Sequence, residues 1–339
     1  MSDSNTPSVS APLGLAAVAD APVLAHVTRG DFVECVHRAT LVALDADGAE
    51  LFAHGAVREP IYPRSTNKPL QALAMVRAGL DLPPDQLALV CSSHSGEPAH
   101  LDRVRSILAG AGLSEADLRN TPDLPLDPAE RTRWTREDLP ASPLGQNCSG
   151  KHAGMLATCV INGWSTHDYL DVDHPLQRAI EATLAEVTGD SVAATAVDGC
   201  GAPVMAVSVT GLARAFGALA AADPETPEGR IADAIRSHPE LLGGTGRDVT
   251  ALISGVPGLI AKDGAEAVYA VGLADGRGLA LKVADGGAGI SAGGQRARPV
   301  IMAAALRRIG VKAQVLEDQS EAPVLGHGQP VGRVVAVGV

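Results

Sequence analysis

The chain has 339 residues and a formal net charge of −12, and 46% of its residues are apolar but only 2% aromatic. This apolar content is sufficient for a large buried core and excludes a disordered or fibrous protein. The negative charge opposes phosphate backbones and anionic lipids, so neither nucleic acid nor a membrane is expected as a partner.

The first 22 residues are rich in Ser, Pro and Ala without a hydrophobic period, which predicts a flexible N-terminal tail. No apolar run approaches the roughly 18 residues that span a bilayer, and the N-terminal segment lacks the basic and apolar regions of a signal peptide. A cytoplasmic location is therefore expected. Residues 23–339 are predicted to form a single domain of two lobes.

The predicted elements change character twice along the chain. Alternating apolar residues predict strands early and late, whereas a helical period dominates between them. The predicted strands are 32–36, 39–44, 51–54, 267–273, 279–283 and 333–339. The predicted helices are 65–79, 100–111, 149–161, 175–187, 204–221, 229–236 and 296–309. The two ends can therefore meet in one antiparallel sheet flanked by helices, with a central helical lobe, and the fold class is α+β.

Ser65 and Lys68 stand three residues apart at the start of the first predicted helix. Positions i and i+3 share a helical face, so the hydroxyl and the amine can come within hydrogen-bond reach, as a nucleophile and its base require. The lysine must lose its proton to act as a base, and Lys262 is a candidate for the neighbouring cation that promotes this loss. This spacing alone is common, and a solvated helix face is the alternative.

Two companion motifs strengthen the catalytic interpretation. Lys262, Asp263 and Gly264 follow an apolar run and precede a strand, as the K-T-G motif of serine and lysine acyltransferases does, although Asp263 replaces the usual Thr or Ser. Ser93 stands where such a site has its second serine. The backbone N–H groups of Ser65 and Ala265 are predicted to form the oxyanion hole.

Cys148 and Cys200 each stand in a compact, glycine-containing polar loop. Zinc normally takes four N, S or O ligands, and Lys151 or His152, one helical turn after Cys148, can supply a third. His152 is the better candidate on chemical grounds alone. The alternative is that both cysteines are buried small hydrophobic residues, and the spacing without a C-x-x-C pair favours that alternative.

Five separated blocks occur in a characteristic order. Through them the chain resembles the rhizobial-type (class 3) L-asparaginases of the asparaginase II family. The blocks are residues 64–69 (RSTNKP), 91–97 (CSSHSGE), 147–154 (NCSGKHAG), 198–201 (DGCG) and 262–266 (KDGAE). The resemblance implies the fold of serine β-lactamases and bacterial glutaminases, a homodimer, and a catalytic domain over residues 23–339.

The resemblance also implies a role for individual residues in the hydrolysis of L-asparagine. Ser65 would attack the side-chain carboxamide with Lys68 as its base, while Ser93 and Lys262 form a second serine and lysine pair. Water would then hydrolyse the acyl-enzyme.

The resemblance further implies a metal site and a substrate site. Cys148, Lys151 and Cys200 would hold zinc, with water in the fourth position. Arg64, His152 and Asp198 would surround the substrate, where Arg64 suits its carboxylate and Asp198 its ammonium. From the residues alone, an ordinary surface ion pair between Arg64 and Asp198 is the alternative.

Two other functions stay open at this point: a penicillin-interacting serine hydrolase or glutaminase that uses Ser65, and a non-catalytic zinc-binding module built around Cys148 and Cys200. Position 267 is Ala where the resembled family commonly has Gly, which leaves the preference for asparagine or glutamine open.

Overall fold

The computed structural model describes residues 12–287 and 293–339. Residues 1–11, half of the predicted tail, lie outside this description. Within the other half, Leu15–Ala19 form a short helix, and Ala17 is fully buried in the core. The run of Leu, Ala and Val at 15–19 gives this helix an apolar face, but five residues are too few to show a hydrophobic period in the sequence.

The described elements are labelled in chain order. The strands are β1 Val23–Arg29, β2 Phe32–Leu44, β3 Glu50–His54, β4 Pro60–Ile61, β5 Thr195–Val197, β6 Pro203–Met205, β7 Val207–Ser208, β8 Ile260–Gly264, β9 Val268–Gly272, β10 Gly278–Val283, β11 Glu321–Gly326 and β12 Gln329–Ala336. The helices are α1 Leu15–Ala19, α2 Lys68–Arg77, α3 Pro84–Val90, α4 Pro98–Gly110, α5 Pro128–Arg136, α6 Ser149–Asn162, α7 Pro175–Thr188, α8 Val209–Ala221, α9 Pro227–Ser237, α10 Pro239–Leu242, α11 Asp248–Gly255, α12 Arg298–Arg308 and α13 Gln314–Asp318. Short 3-10 turns occupy Arg64–Asn67, Glu115–Asp117, Ala265–Ala267 and Gly293–Arg296.

One antiparallel sheet joins the two ends of the chain. Its strand order is β11-β12-β1-β2-β10-β9-β8, and β3 pairs with β2. The long strand β2 lies at the centre of the sheet. Its Cys35 is opposite Val27 of β1, and its Leu41 is opposite Leu281 of β10. Strands from the first 54 residues and from the last 80 therefore form a single layer, as the sequence pattern predicted.

Helix α8 lies directly against the sheet. Ten of its thirteen residues are buried, and the three exposed ones, Arg214, Ala218 and Ala221, share one narrow face. A Cβ at Gly272 or Gly278 would collide with the carbonyl oxygens of Phe216 and Ala213, and these two glycines therefore permit the close approach of strands and helix. This contact joins the sheet to the helical part of the molecule.

The helical lobe consists of helices from the middle of the chain. Helix α2 packs on α6, α7 and α9, and α3 packs on α6 and α9. The predicted class is confirmed: the fold is α+β, with an antiparallel sheet flanked by helices and a helical lobe beside it. No helix in the described residues is both long and apolar enough to cross a membrane.

The prediction of a helix over 204–221 is wrong in its first five residues, four of which belong to β6 and β7, with Ala206 between the two strands. The helix begins only after Ser208, because the Ser208 hydroxyl accepts a hydrogen bond from the Gly211 N–H at 2.8 Å and caps it. Apolar residues continue without a break across this boundary, so the period alone does not reveal it.

Candidate active site

Ser65 stands in a 3-10 turn that leads directly into α2. Arg64, the preceding residue, has a φ of 53°, a left-handed conformation that is uncommon for a non-glycine residue. The end of β8 packs against this turn, since a Cβ at Gly264 would lie 2.5 Å from Thr66 Oγ1 and 3.0 Å from the Pro63 carbonyl oxygen. Glycine at 264 therefore brings the strand edge up to the candidate nucleophile.

A cavity of about 340 Å³ opens over this turn. Four of the predicted site residues line it, namely Arg64, Ser65, Ser93 and Ala265. The candidate nucleophile, the second serine and one predicted oxyanion donor thus face one space of a size suited to a small substrate.

Lys68 is almost fully buried below this cavity, with 1% of its surface exposed. Its amine donates to the Ser92 carbonyl oxygen at 2.5 Å and to Ser93 Oγ at 3.1 Å. Among the described residues, these two are its hydrogen-bond partners, and Ser65 is not one of them. The amine lies one turn beyond Ser65 in the chain but is hydrogen-bonded to the second serine.

Lys262 is fully buried on β8. Its amine donates to the carbonyl oxygen of Asp263 and to Asp263 Oδ1, each at 2.6 Å, rather than to Ser93. Burial lowers the pKa of Lys262 to about 8, and the nearby charge of Lys68 acts in the same direction. The neutral amine that acid–base chemistry requires is therefore accessible near neutral pH.

Two arginines that were not predicted from the sequence contact Asp263. We call the connected group the catalytic layer; it consists of Lys68, Ser93, Arg247, Lys262, Asp263 and Arg298. Arg247 donates to Asp263 Oδ2 at 2.6 Å and to the Ser93 carbonyl oxygen at 3.3 Å. Arg298 lies 3.6 Å from the same carboxylate and forms a two-pronged ion pair with Asp248 at 2.8 and 2.9 Å. Burial raises the pKa of Asp263, but Lys262 and the two arginines outweigh it and hold that pKa well below its usual range. The glycine-rich segment 243–246 before Arg247 was a signal that could have found it.

Arg64 and Asp198 form an ion pair at the side of the cavity, with Nε 2.7 Å from Oδ1. Burial raises the pKa of Asp198, but the charges of Arg64 and Lys151 outweigh this effect, so the pKa lies below its usual value. Both side chains are only partly exposed, and the pair lies beside the candidate nucleophile rather than on open surface.

The edge of the cavity at Ala265 is held in an unusual conformation. Glu266 and Ala267 both have positive φ, 57° and 53°. The Gln295 side-chain amide donates to the Gly264 carbonyl oxygen at 3.2 Å. The backbone beside Ala265 is therefore fixed from two sides, as an oxyanion donor requires. Ala267 occupies a conformation that favours glycine.

Cys148, Lys151 and Cys200 form a buried cluster beside the cavity. Cys148 precedes the first residue of α6, Lys151 lies in its first turn, and Cys200 belongs to the tight turn between β5 and β6. The Lys151 amine lies 3.3 Å from Cys200 Sγ. A hydrogen bond from Cys148 lowers the pKa of the Cys200 thiol to about 4, although burial opposes it.

His152 lies on the same helix but is held by another partner. Its Nδ1 is hydrogen-bonded to the Tyr169 hydroxyl at 2.8 Å, and the ring is fully buried. Burial and the neighbouring Lys151 charge hold its pKa well below the usual value, so the ring is neutral. Its Nε2 has no hydrogen-bond partner in the part of the chain that the structure describes. A buried, unsatisfied ring nitrogen is consistent with a polar ligand beside it.

The donor set of this cluster fits a zinc ion. Two thiolate sulfurs can bind zinc, and the Lys151 amine can do so once it has lost its proton, which metal binding would have to displace; all three side chains are at least 95% buried. Within residues 12–287 and 293–339, no group of three His, Cys, Asp and Glu side chains is placed to hold a metal, so a site here depends on Lys151 as the third ligand.

Comparison with known proteins gives one strong match. The sequence profile of the L-asparaginase II family matches residues 25–336. None of the curated proteins has a detectably similar sequence.

Two solved structures are similar over most of their length. A β-lactamase from Mycobacterium bovis is 16% identical with a TM-score of 0.46, and the match covers 80% of this chain and 95% of that one. A β-lactamase from Burkholderia ambifaria is also 16% identical, with a TM-score of 0.35, and the match covers 82% and 96%.

Proposed function

The chain belongs to the L-asparaginase II family, and on this premise we propose that it hydrolyses L-asparagine to L-aspartate and ammonia through an acyl-enzyme on Ser65. The family itself indicates a hydrolase that acts on a small amide. The choice of asparagine, and the role of each residue, are our proposal.

One observation carries this proposal. Ser65 and Ser93 line the same cavity, and the buried Lys68 amine is hydrogen-bonded to Ser93 Oγ at 3.1 Å beneath it. A hydroxyl that contacts a buried amine can pass its proton to that amine, so Ser93 can relay to Lys68 the proton that Ser65 loses. A structural lysine would gain little from burial beside two serines, because burial of a charge costs free energy.

The first step forms the acyl-enzyme. Ser65 Oγ attacks the carboxamide carbon, and its proton passes to the Lys68 amine, which must be deprotonated for this step, directly or through the Ser93 hydroxyl that this amine contacts. The oxygen of the carbonyl group becomes an oxyanion, which the backbone N–H groups of Ser65 and Ala265 stabilise. The C–N bond then breaks, the proton returns from Lys68 to the leaving nitrogen, and ammonia departs.

The second step restores the serine. A water molecule attacks the ester carbon, with its proton taken by the Ser93, Lys68 and Lys262 group, and the bond to Ser65 Oγ breaks as that oxygen regains a proton. L-Aspartate leaves. The Lys262 amine, whose pKa is about 8, is the member of this group best suited to exchange protons near neutral pH.

The Arg64 and Asp198 pair suits the two charges of an amino acid. A guanidinium binds a carboxylate in two-pronged geometry, and a carboxylate binds an ammonium. Arg64 adjoins Ser65 in the chain, so a substrate held by this pair has its side chain directed along the cavity toward the nucleophile. The neutral His152 ring is the third predicted contact.

We further propose that Cys148, Lys151 and Cys200 hold a zinc ion. Zinc would supply a fixed positive charge that holds the Cys200 turn and α6 together beside the substrate pair. The expected result of metal analysis is one zinc per chain, lost in Cys200→Ser and kept in Cys35→Ser, whose thiol is exposed. Equal zinc content in the two variants would reject this site.

A homodimer and a cytoplasmic location are also part of the proposal, and both rest on the family resemblance. Light scattering on the purified chain tests the first, since a monomer at micromolar concentration would contradict it. Fractionation of cells that express the full chain tests the second.

The central experiment is release of ammonia from L-asparagine by Ser65→Ala, with Ser106→Ala as control because Ser106 is exposed on α4. We expect loss of activity in the first variant and full activity in the second. L-Glutamine and penicillin are tested in parallel, and mass spectrometry is used to detect acylation of Ser65. Full activity of Ser65→Ala would reject the mechanism, and penicillin turnover without amide turnover would reject the asparaginase assignment. Stoichiometric zinc without turnover of any amide, ester or lactam would indicate a binding module.

A further inference from the structure

A second cavity lies behind the catalytic layer. It measures about 610 Å³ and lies between the edge of the sheet at β11 and β12 and the N-terminal ends of α11 and α12. Arg247, Gln295 and Arg298 line both this cavity and the catalytic one. We call it the rear cavity. The proposed asparagine hydrolysis does not use it.

Four arginines line the rear cavity: Arg29, Arg247, Arg296 and Arg298. Within the described residues they pair with three carboxylates, those of Glu34, Asp248 and Asp263. Of these three carboxylates, only that of Asp248 lines the rear cavity among the described residues. The cavity therefore has an excess of positive charge in a protein whose net charge is strongly negative.

Arg296 is the member without a carboxylate partner among the described residues. Its guanidinium donates to His37 Nε2 at 3.1 Å and to Cys35 Sγ at 3.1 Å. A ring nitrogen accepts a hydrogen bond only when it carries no proton, so this contact does not neutralise the arginine. The other ring nitrogen of His37 contacts Asp285 at 2.9 Å, so this carboxylate reaches Arg296 only through the ring, and a guanidinium without a direct anionic partner favours an anionic ligand.

Two buried N–H donors in the same wall lack partners. Arg247 and Arg298 are 6% and 3% exposed, yet the Nε of each has no hydrogen-bond partner in the described part of the chain. A buried donor without an acceptor has lost its hydrogen bond to water without a replacement, so such groups normally mark a bound ligand or water. Here both donors belong to side chains that wall the rear cavity.

The backbone adds to the same effect. Helix α11 begins at Asp248 and α12 begins at Arg298, and both residues line the rear cavity. Helix N-termini carry partial positive charge and unpaired N–H groups, which favour oxyanions. Two helix ends, an excess of guanidinium groups and two unsatisfied donors thus converge on one space.

We propose that the rear cavity binds a small oxyanion of the phosphate or carboxylate type. Such an anion would accept hydrogen bonds from Arg296 and from the unpartnered N–H groups of Arg247 and Arg298. Because Arg247 also contacts Asp263 and the Ser93 carbonyl oxygen, this one side chain would connect the bound anion to the catalytic layer. The anion is either free phosphate or the carboxylate of an amino-acid product.

The test is isothermal titration of the full chain with inorganic phosphate and, separately, with L-aspartate, at constant ionic strength. The variant is Arg296→Gln, and the matched control is Arg307→Gln, which removes the same charge from the exposed end of α12. Loss of one charge-assisted contact is expected to weaken phosphate binding about tenfold in Arg296→Gln and to leave Arg307→Gln unchanged. If only phosphate binding weakens, the ligand is the free oxyanion, and if aspartate binding weakens as well, the carboxylate shares the site.

Thermal unfolding shows whether Arg296→Gln is folded. If it is not, Arg29→Gln replaces it, since Arg29 is exposed and lines the rear cavity but not the catalytic one. The proposal is overturned if neither anion binds the wild-type chain saturably. It is also overturned if the folded rear-cavity variant binds both anions as tightly as Arg307→Gln does.

Discussion

The catalytic cavity and the cysteine cluster each contain a buried lysine, and their neighbours drive the two amines in opposite directions. Burial lowers the pKa of Lys262 to about 8, and Lys68 and Arg247 add to this effect while Asp263 opposes it. Burial also lowers the pKa of Lys151, but the negative charges of Cys200 and Asp198 outweigh it and raise that pKa. The Lys262 amine can therefore lose its proton near neutral pH, whereas the Lys151 amine keeps its proton unless a bound metal displaces it.

The comparison shows that burial alone does not make a catalytic lysine. Both amines are at least 98% buried, and the sign of the shift is set by the charges within a few ångströms. Arg64 connects the regions, because it adjoins Ser65 in the chain and pairs with Asp198, two residues before Cys200.

The largest expected effect distinguishes Lys68, beneath the catalytic cavity, from Lys151 of the cysteine cluster. Lys68→Ala removes the amine that contacts Ser93, and we expect kcat for asparagine to fall about 10³-fold, as for loss of a general base. Lys151→Ala removes a buried lysine of the same size, and we expect it to lower zinc content and to change kcat far less. Ammonia release and metal analysis of both variants provide the measurement. An equal fall in kcat would remove the distinction between the regions.

The second effect concerns the carboxylate among the cations of the catalytic layer. Asp263→Asn leaves Lys262, Arg247 and Arg298 without their shared partner, and removal of one member of a buried ion pair costs about 3–5 kcal/mol of unfolding free energy. The control is Asp275→Asn, which breaks an exposed pair with Arg277 worth at most about 1 kcal/mol. Urea unfolding of both variants measures the difference. Equal losses would mean that the layer is open to solvent.

The third effect tests the link between the regions. Arg64→Gln removes the guanidinium proposed to hold the substrate carboxylate, and we expect KM for asparagine to rise about tenfold, as for one charge-assisted contact, with a smaller change in kcat. Arg58→Gln is the control, since its side chain is 81% exposed and pairs with Glu50. An unchanged KM would assign Arg64 to the surface ion pair that the sequence analysis kept as an alternative.

Several features were predictable because they depend on local order. The sheet from the two chain ends, most helices, and the placement of Ser65, Ser93 and Ala265 around one cavity follow from period and motif order. The partner of Lys68 was not predictable, because the i, i+3 rule describes one helix and ignores Ser93, which a loop brings onto the amine. Arg247 and Arg298 lie about 180 and 230 residues from Ser65, and only the sheet topology brings them to the site.

The last expected effect is the pH dependence that Lys262 imposes, which needs no loss of activity at the optimum pH. A pKa of about 8 means that the amine is mostly protonated at pH 7, and a protonated amine cannot accept the proton of the attacking water. The rate should therefore rise about tenfold per pH unit below this pKa and level off above it. In Lys262→Arg the side chain stays protonated, so the residual rate should lose this inflection. Profiles of kcat against pH for the two proteins test this, and a wild-type rate that is flat between pH 6 and 9 would show that no group with the pKa of Lys262 takes part. Asp198 and Asp263 titrate well below this range, because their folded pKa values are lowered, and so do not produce the same inflection.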